Sequence, residues 1–437
     1  MISPRASHRT RRTFIDLKVD AVILSLALVL ANLRALMFIF LFPDTSVLLG
    51  PAWIEIGLWL LVTLAVSYQL NRSNQTADYL ARWQRNWPLA LFILAALASI
   101  LWSVGPTVTS FRALELLFAT LVAAYVGMRY RPVQLLAVLF WFGAVLLILS
   151  IAIVFAAPKT GTMYWAPFYG AWRGIYWHRN HLASIAALVN MVFLCRGIIA
   201  LEDRNTAGFL DGIFYLLALL VLSFAKSAAG YILFIVLHIA VFCSWLWTRV
   251  HARLRAVHYY IILGIFSLGT ASILSNLETV FGLFNRSATL TGRVGLWEHL
   301  LKGVVSQRPW WGHGFGALWT FDWFREAVRR QIGWGSQPLI GDNGFIDILL
   351  HLGIVGLLIF LSVLAVASVR AFLHAISHKT LADFFPLLIM IYAVFANISL
   401  SLFAETEVFV WFLIVTVLFM TTPPSQQPQT APSPAAK

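Results

Sequence analysis

The residues that could take part in chemistry are mostly cationic and stand in separate segments of the chain. Arg173 and Arg179 precede one long apolar run, Lys226 precedes another, and Arg293 follows the sequence Thr-Leu-Thr-Gly. Asp342 stands just before a further apolar run. Guanidinium groups bind phosphates and carboxylates through several fixed donors, and a nearby carboxylate can accept a proton. These residue types indicate chemistry on an anionic substrate if the fold brings the segments together.

The segment around Arg293 predicts a helix with an anion site at its start. Thr291 is a suitable N-cap, which places Arg293 in the first turn, where free N–H groups and a guanidinium converge. An arginine on a solvated helix face is the alternative. The helix is predicted from the spacing of the apolar residues Trp297, Leu300, Leu301, Val304 and Val305.

Two further segments of the same interval are less specific. The sequence Arg-Pro-Trp-Trp-Gly-His-Gly-Phe-Gly over 308–316 predicts a flexible turn, in which Trp311 and His313 could contact a sugar. Tryptophans next to a membrane more often form an interfacial belt. Arg325, Arg329 and Arg330 have helical spacing, which is typical of a solvated amphipathic face.

The spacing of His178 and His181 would suit a metal site, but no carboxylate or thiol stands beside them. A structural or hydrogen-bonding role is favoured for both, and no metal or cofactor is expected. Cys195 and Cys243 fall inside apolar runs, as packing residues do. Asp342 could accept a hydroxyl proton or could cap the helix that follows, and the two roles are compatible.

Composition places these residues in a membrane protein. The 437 residues are 60% hydrophobic and 11% charged, against about 25% charged in soluble domains. The net charge of +13 is scattered over loops, which favours the positive-inside bias over nucleic-acid binding. We predict an all-α integral membrane protein of about twelve transmembrane helices, at roughly 20–42, 52–70, 88–104, 112–127, 132–156, 182–200, 209–225, 229–248, 259–275, 345–369, 383–402 and 406–421.

Loop charges predict the orientation. The segments expected in the cytoplasm carry most of the 31 lysines and arginines, and the short external loops carry few. Both termini are therefore predicted to be cytoplasmic. The predicted units are a basic N-terminus (1–18), spans one to nine (19–275), a large external loop with short helices (276–343), spans ten to twelve (344–421) and a disordered tail (422–437).

The order of these parts resembles the superfamily of O-antigen ligases and O-antigen or exopolysaccharide polymerases. The resemblance covers about Arg179 to Gly356. It is carried by Arg179-Asn180 before a span, Thr291 to Trp297, Arg308 to Gly314, and an end motif. In the ligases the end motif is His, then Asn, Ser or Gln, nine residues, Gly, two residues and Gly. Here Asn343, Gly353 and Gly356 match it, but Asp342 stands in place of the His.

The resemblance implies a bacterial inner-membrane protein whose 276–343 loop is periplasmic and catalytic. The implied activity is metal-independent glycosyl transfer at the periplasmic membrane face. The donor would be a glycan on undecaprenyl diphosphate, and an acceptor sugar hydroxyl would displace the lipid diphosphate. The implied diphosphate ligands are Arg179, Arg293, Lys226 and Arg173. Asp342 and Arg293 would be catalytic, and the implied glycan contacts are Asn343, Trp311 and His313.

The missing His favours a polymerase of exopolysaccharide or O-antigen repeat units. The first alternative is an O-antigen ligase that transfers glycan to lipid A-core. A further alternative is a flippase or exporter of lipid-linked glycan, which would instead need charged residues within spans and broken helices. Expected partners are the lipid-linked donor, the glycan acceptor, membrane lipids, a chain-length regulator and a flippase, and no nucleic acid is expected.

Overall fold

The computed structural model describes residues 14–33, 52–164, 168–250, 293–332, 341–378, 380–403 and 408–424. The regular secondary structure within these ranges is helical, apart from one isolated antiparallel bridge between Thr162 and Trp172. The α-helices are α1 (Phe14–Ala31), α2 (Ala52–Arg72), α3 (Thr76–Arg85), α4 (Trp87–Ala98), α5 (Pro106–Arg129), α6 (Pro132–Ala156), α7 (Pro158–Gly161), α8 (Arg179–Glu202), α9 (Gly208–Ala225), α10 (Ala228–Val250), α11 (Arg293–His299), α12 (Asp322–Ile332), α13 (Gly344–His378), α14 (Leu381–Ser399) and α15 (Phe409–Met420).

The all-α membrane fold is confirmed. Eight described helices are long and apolar enough to cross a membrane: α2, α5, α6, α8, α9, α10, α13 and α14. The pair α3 and α4, bent by 82°, would add a ninth. Of the remaining predicted spans, the first coincides in part with α1, and the last with α15, which has only 12 residues. The span predicted at 259–275 lies outside the described residues, so the count of twelve stays a prediction.

Helix ends gather on two faces of the bundle. On one face, which we call the site face, the start of α13 bonds to the end of α14 through Gly344 N and Leu400 O, 3.0 Å apart. On the opposite face, Arg129 at the end of α5 pairs with Asp20 near the start of α1 at 2.7 Å. The chain leaves α10 on the opposite face and enters α11 on the site face. Described parts of the loops predicted to be external contact one another on the site face, as Val104 N does with His313 O and Arg179 with Lys226 O.

The shortest apolar helix, α15, is the most enclosed. Every residue from Phe409 to Phe419 is buried. The Trp411 Nε1–H donates to Thr120 Oγ1 of α5 at 2.8 Å, which satisfies an indole that would otherwise lack a partner inside the bundle. Arg82 of α3 donates to Phe419 O at 3.0 Å, where a cation offsets the partial negative charge of a helix end. Helix α15 thus anchors the bundle around it.

Helix α13 departs from the straight span predicted at 345–369. It runs for 35 residues and is interrupted at Gly353, whose φ is +66° and whose ψ is −167°. A break of this kind frees backbone groups on both sides of it, and these need partners in a membrane protein. The hydrogen-bond partners of these backbone groups come from the loop around Pro309.

The tryptophan- and glycine-rich turn fills the break in α13. His313 N donates to Leu350 O at 2.9 Å and Gly314 N to His351 O at 3.0 Å. Beyond the break, Ile354 N donates to Pro309 O at 2.8 Å. We call this set of backbone bonds the interlock. It joins the Arg-Pro-Trp-Trp-Gly-His-Gly segment to the glycine-containing end motif.

Close approach explains two glycines of the interlock. A Cβ on Gly353 would lie 2.3 Å from the carbonyl carbon and oxygen of Trp310, and a Cβ on Gly312 would lie 2.5 Å from those of His351. Both glycines also have φ of +66°, which L-residues with a side chain rarely adopt. The backbones could not meet if either position carried a side chain.

Candidate active site

An ion pair between Arg293 and Asp342 lies at the centre of the site face. Arg293 is the first residue of α11, and its Nε–H donates to Asp342 Oδ2 at 3.0 Å. Both side chains are largely enclosed, with 10% and 19% of their surfaces exposed. Burial raises the pKa of Asp342, and the charge and hydrogen bond of Arg293 oppose that rise. The structure thus brings the two predicted catalytic residues into direct contact.

The cap of α13 is Asn343. Its Oδ1 accepts from Phe345 N at 3.0 Å and from Ile346 N at 3.2 Å. Its amide nitrogen donates to Ile398 O at 3.2 Å. The capping role offered above for Asp342 is therefore filled by its neighbour. Asn343 has a structural role here, and its predicted contact with glycan stays a prediction.

Asp342 itself has a φ of +50°, in the left-handed region. This conformation costs most residues about 1–2 kcal/mol and is best tolerated by Gly, Asn and Asp. Residues held in such conformations cluster at functional sites. The turn before the cap directs the Asp342 carboxylate toward Arg293 instead of toward the start of α13.

Arg179, the first residue of α8, is held by backbone carbonyls. Its Nη1 donates to Lys226 O and lies 3.4 Å from Ala225 O at the end of α9. Its guanidinium carbon lies 4.0 Å from the centroid of the Phe168 ring, a cation–π contact. At the next residue of α8, Ser227 donates to Asn180 Oδ1 at 2.9 Å, which fixes the start of α8 against the start of α10. Arg179 is therefore preorganised by three elements.

The electrostatics of His178 show that the arginines converge. Burial lowers the pKa of His178 well below its ordinary value, and the charges of Arg179, His181, Arg293 and Arg173 lower it further. Arg293 comes from a segment far along the chain, yet it lies close enough to act on a residue before α8. The fold therefore brings three of the four predicted diphosphate ligands, Arg173, Arg179 and Arg293, within electrostatic range of one histidine, and we call these three residues the arginine cluster.

Arg173 and Lys226 differ in what their side chains do. Arg173 is buried, its Nε–H donates to Thr160 O at 2.7 Å, and burial lowers its pKa. It therefore orders the loop before α8 as well as adding charge. Lys226 ends α9 with a φ of +51°, and its side chain is exposed. The side chain can reach an external ligand, while its carbonyl already holds Arg179.

Trp311 and His313 belong to the interlock. Trp311 is exposed, and its ring lies 5.9 Å from that of Trp102. His313 is buried, and burial lowers the pKa of its imidazole. The α13 residue that His313 bonds, Leu350, lies about two helical turns beyond Asp342. The structure thus separates both side chains from the arginine cluster, and their contact with glycan stays a prediction.

The remaining predicted features are placed as follows. Arg325, Arg329 and Arg330 lie on α12, where Arg325 is buried and donates to Trp319 O at 2.7 Å. Arg330 pairs with Glu326 at 3.1 Å on the exposed side. No group of three or more His, Cys, Asp or Glu side chains suited to a metal ion occurs among the described residues. The proposed cap of α11, Thr291, lies outside those residues.

Sequence reasoning missed the interlock and underrated His178. The signal for the interlock was present, because three alternate glycines in one segment and a glycine inside an apolar span both mark close backbone approach. No sequence signal showed that the two glycine segments bond to each other. For His178, the only signal was its position beside Arg179.

Comparison with known proteins identifies a matching family and a similar protein. Residues 213–361 match the model of the O-antigen ligase family, a range that holds Lys226, Arg293 and Asp342. This match confirms the resemblance to the O-antigen ligase and polymerase superfamily. The chain is also 26% identical over 364 residues to the exopolysaccharide production protein ExoQ of Rhizobium meliloti (strain 1021), which covers 80% of this chain and 77% of that protein.

Proposed function

We propose that this protein is a membrane glycosyltransferase that polymerises repeat units of an exopolysaccharide or O-antigen. It would take the glycan from undecaprenyl diphosphate and add it to a sugar hydroxyl at the periplasmic membrane face. The observation that carries the proposal is the convergence of Arg173, Arg179 and Arg293 near an acid, Asp342, from three separate segments. The name of the relative from Rhizobium meliloti supports the exopolysaccharide class of product.

The arginines suit the leaving group. When the bond between the anomeric carbon and the phosphate oxygen breaks, negative charge builds on the lipid diphosphate. Fixed donors stabilise such charge without reorganising during the reaction. Arg179 is held by carbonyls and Phe168, and Arg293 by Asp342, so both guanidinium groups are positioned before the donor arrives.

Asp342 is the proposed base that takes the proton of the acceptor hydroxyl. An ordinary aspartate is a weak base because its pKa is low. Burial raises the pKa of Asp342, which moves the carboxylate toward useful basicity, and Arg293 limits that rise. The charge of Arg293 thus favours the ionised carboxylate, which is partly shielded from solvent.

An O-antigen ligase that transfers the glycan to lipid A-core is the second candidate. The specific observation in its favour is the description of the matching family model, which is O-antigen ligase. The acid at the position where the ligases have His favours the polymerase. The two candidates use the same donor and differ in the acceptor, so an acceptor comparison separates them.

Two observations bear on a transporter of lipid-linked glycan. Helix α13 is broken, which is common in transporters. However, the break is filled by the interlock, so its backbone groups are bonded and not free for a substrate. Buried charges near helix ends are also paired, as in Asp20 with Arg129. Transport therefore has the weaker support.

The test uses purified protein in proteoliposomes with lipid-linked repeat units extracted from cells that lack this gene. The proposal predicts a ladder of longer lipid-linked glycans, absent when Arg293→Ala replaces the parent. Addition of lipid A-core without a ladder would support the ligase. Movement of the lipid-linked unit across the bilayer with no new glycosidic bond would contradict both enzymes.

A further inference from the structure

His178 lies at the start of α8, next to Arg179 and within electrostatic range of Arg173 and Arg293. It is the N-cap of α8, and its Nδ1 accepts from Asn180 N at 3.2 Å. A neutral imidazole that accepts at Nδ1 carries its hydrogen on Nε2. The ring packs edge-on to Phe168, with centroids 6.1 Å apart, and Phe168 also contacts the guanidinium of Arg179. His178 is thus fixed next to Arg179 with Nε2–H as its free donor position.

No described residue forms a hydrogen bond with Nε2 of His178, and the side chain is only partly buried. An N–H donor held among three guanidinium groups suits a ligand with several oxygen atoms and negative charge. A diphosphate has these properties, and it is the group that the proposed reaction releases.

We propose that His178 is a diphosphate ligand of this site, and that the imidazole takes up a proton when the diphosphate binds. The proposal rests on the proposed function, because it assumes that the lipid diphosphate occupies the arginine cluster. The proton comes from solvent and binds Nδ1, the only ring nitrogen with a lone pair, so Nδ1 no longer accepts the hydrogen bond from Asn180 N. Apart from this N–H bond, no covalent bond to His178 forms or breaks.

The surrounding charges give the physical reason. In the unliganded protein the groups that act on His178 are Arg173 from the preceding loop, Arg179 and His181 from α8, and Arg293 from α11, and together with burial they lower its pKa. Asp342 lies beyond Arg293 and pairs with it. A bound diphosphate reverses the sign of the local potential, so it favours the charged imidazolium. Binding and protonation are therefore linked.

The free and the diphosphate-bound protein differ in the pKa of His178, and this difference sets how affinity changes with pH. His178 is neutral near pH 7 in the free protein, and its pKa rises on binding. Proton uptake on binding makes the affinity highest at low pH and weakens it as the pH rises through the pKa of the bound state. For one proton the limiting slope is about tenfold in affinity per pH unit.

The experiment measures the dissociation constant of undecaprenyl diphosphate for protein in lipid nanodiscs. The pH is varied from about 5.5 to about 8.5 in steps of about half a pH unit. The terminal phosphate of this probe itself titrates near pH 6, which strengthens binding as the pH rises. The parent is therefore compared with His178→Asn, which keeps an N-cap acceptor and removes the titrating ring. The ratio of the two affinities isolates the contribution of the imidazole.

The expected result is a ratio of parent to His178→Asn affinity that is about tenfold or more at the lowest pH and falls toward higher pH. His299→Gln, at the end of α11, is the matched control and should keep the slope of the parent. Thermal unfolding checks that each variant is folded, and His178→Gln repeats the measurement if the Asn variant is unstable.

A ratio that stays constant across the whole pH range would overturn the proton uptake, and a ratio of one throughout would also remove His178 from the diphosphate site. Either outcome leaves the proposed function standing if Arg293→Ala still abolishes binding. A parent that does not bind undecaprenyl diphosphate at any pH would contradict the proposed function itself.

Discussion

Asp342 combines three unusual features at the scale of one residue. It has a left-handed backbone, it is largely buried, and its carboxylate pairs with Arg293. The sequence offers it as a base or a helix cap, and the structure gives the cap to Asn343. A buried acid without a capping role is suited to acid–base function, because burial shifts the pKa and the turn directs the carboxylate.

The first prediction concerns Asp342→Asn. Asparagine keeps the size and tolerates the left-handed backbone, so the fold should persist. Positioned bases typically contribute about 10²–10⁴ in rate, and turnover should fall by that factor while the donor still binds. Turnover of purified protein on lipid-linked repeat units is the measurement. Parent-like turnover would leave Asp342 only a role in positioning Arg293.

A second prediction concerns the pH profile. Asp342 must be deprotonated to accept a proton, and burial raises its pKa, so turnover of the parent should fall as the pH is lowered through that raised pKa. The residual turnover of Asp342→Asn should lack this acid limb. An acid limb that survives the substitution unchanged would assign it to another group, such as the substrate.

The third prediction concerns the arginines. Arg293→Ala and Arg179→Ala should each abolish glycan transfer at normal protein levels. Lysine should restore only part of it, because it supplies a charge without the guanidinium fork. Arg330→Ala is the control, since Arg330 lies in the same loop, is 78% exposed and pairs with Glu326. Near-normal transfer by Arg293→Ala would exclude this residue from diphosphate binding.

At the scale of elements, the interlock joins the long loop to the membrane domain. Helix α13 continues through the break because the loop supplies partners for Leu350 O, His351 O and Ile354 N. Asp342 and Asn343 lie at the start of the same helix. The orientation of the candidate base therefore depends on how the loop packs against α13. The interlock bonds found among the described residues involve neither Arg293 nor Asp342.

The fourth prediction tests the interlock through Gly353→Ala. The added Cβ would lie 2.3 Å from the Trp310 carbonyl, and the alanine would have to adopt a φ of +66°. The backbone conformation alone costs about 1–2 kcal/mol, and the clash adds to it, so yield and thermal stability in detergent should fall sharply. Gly212→Ala in α9 is the control, because nothing lies within 4 Å of its Cβ position. In a helix this change should be neutral or stabilise by up to about 1 kcal/mol. Equal stability of the two variants would contradict the interlock.

At the scale of the whole molecule, helices that run in opposite directions place their connecting segments on two opposite faces of the bundle. The site face holds the arginine cluster, Asp342 and the interlock. The opposite face holds paired cations such as Arg129 and Arg249, the latter bonded to Glu202 at 2.5 Å. The loop charges predict that the opposite face is cytoplasmic, and this orientation stays a prediction.

The fifth prediction places each face by cysteine labelling in intact cells. Ser306→Cys, exposed on the site face, should react with an impermeant thiol reagent. Ser377→Cys, exposed at the end of α13 on the opposite face, should react only after the membrane is opened. Cys243, which is exposed, is first replaced by Ser. The reverse pattern would invert the topology and remove the periplasmic reaction from the proposal.

Local patterns in the sequence determined the membrane class, the positions of most described helices and the set of charged residues worth considering. Such features depend on composition and on runs of neighbouring residues, which a single sequence displays directly. The boundaries of α6, for example, coincide with the predicted span at 132–156. The break in α13 was not predicted, because an apolar run gives no sign that a distant loop will fill a gap in it.

Only the tertiary structure decided which of those residues meet. Arg293 and Asp342 are 49 positions apart, and Arg179 and Lys226 are 47 apart. Contacts of this separation depend on how whole helices pack, and no local pattern encodes that packing. The same packing separated His313 from the cluster and placed His178 near three arginines. The sequence thus named the chemical groups, and the packing of the helices set their distances, their burial and the electrostatic field in which they act.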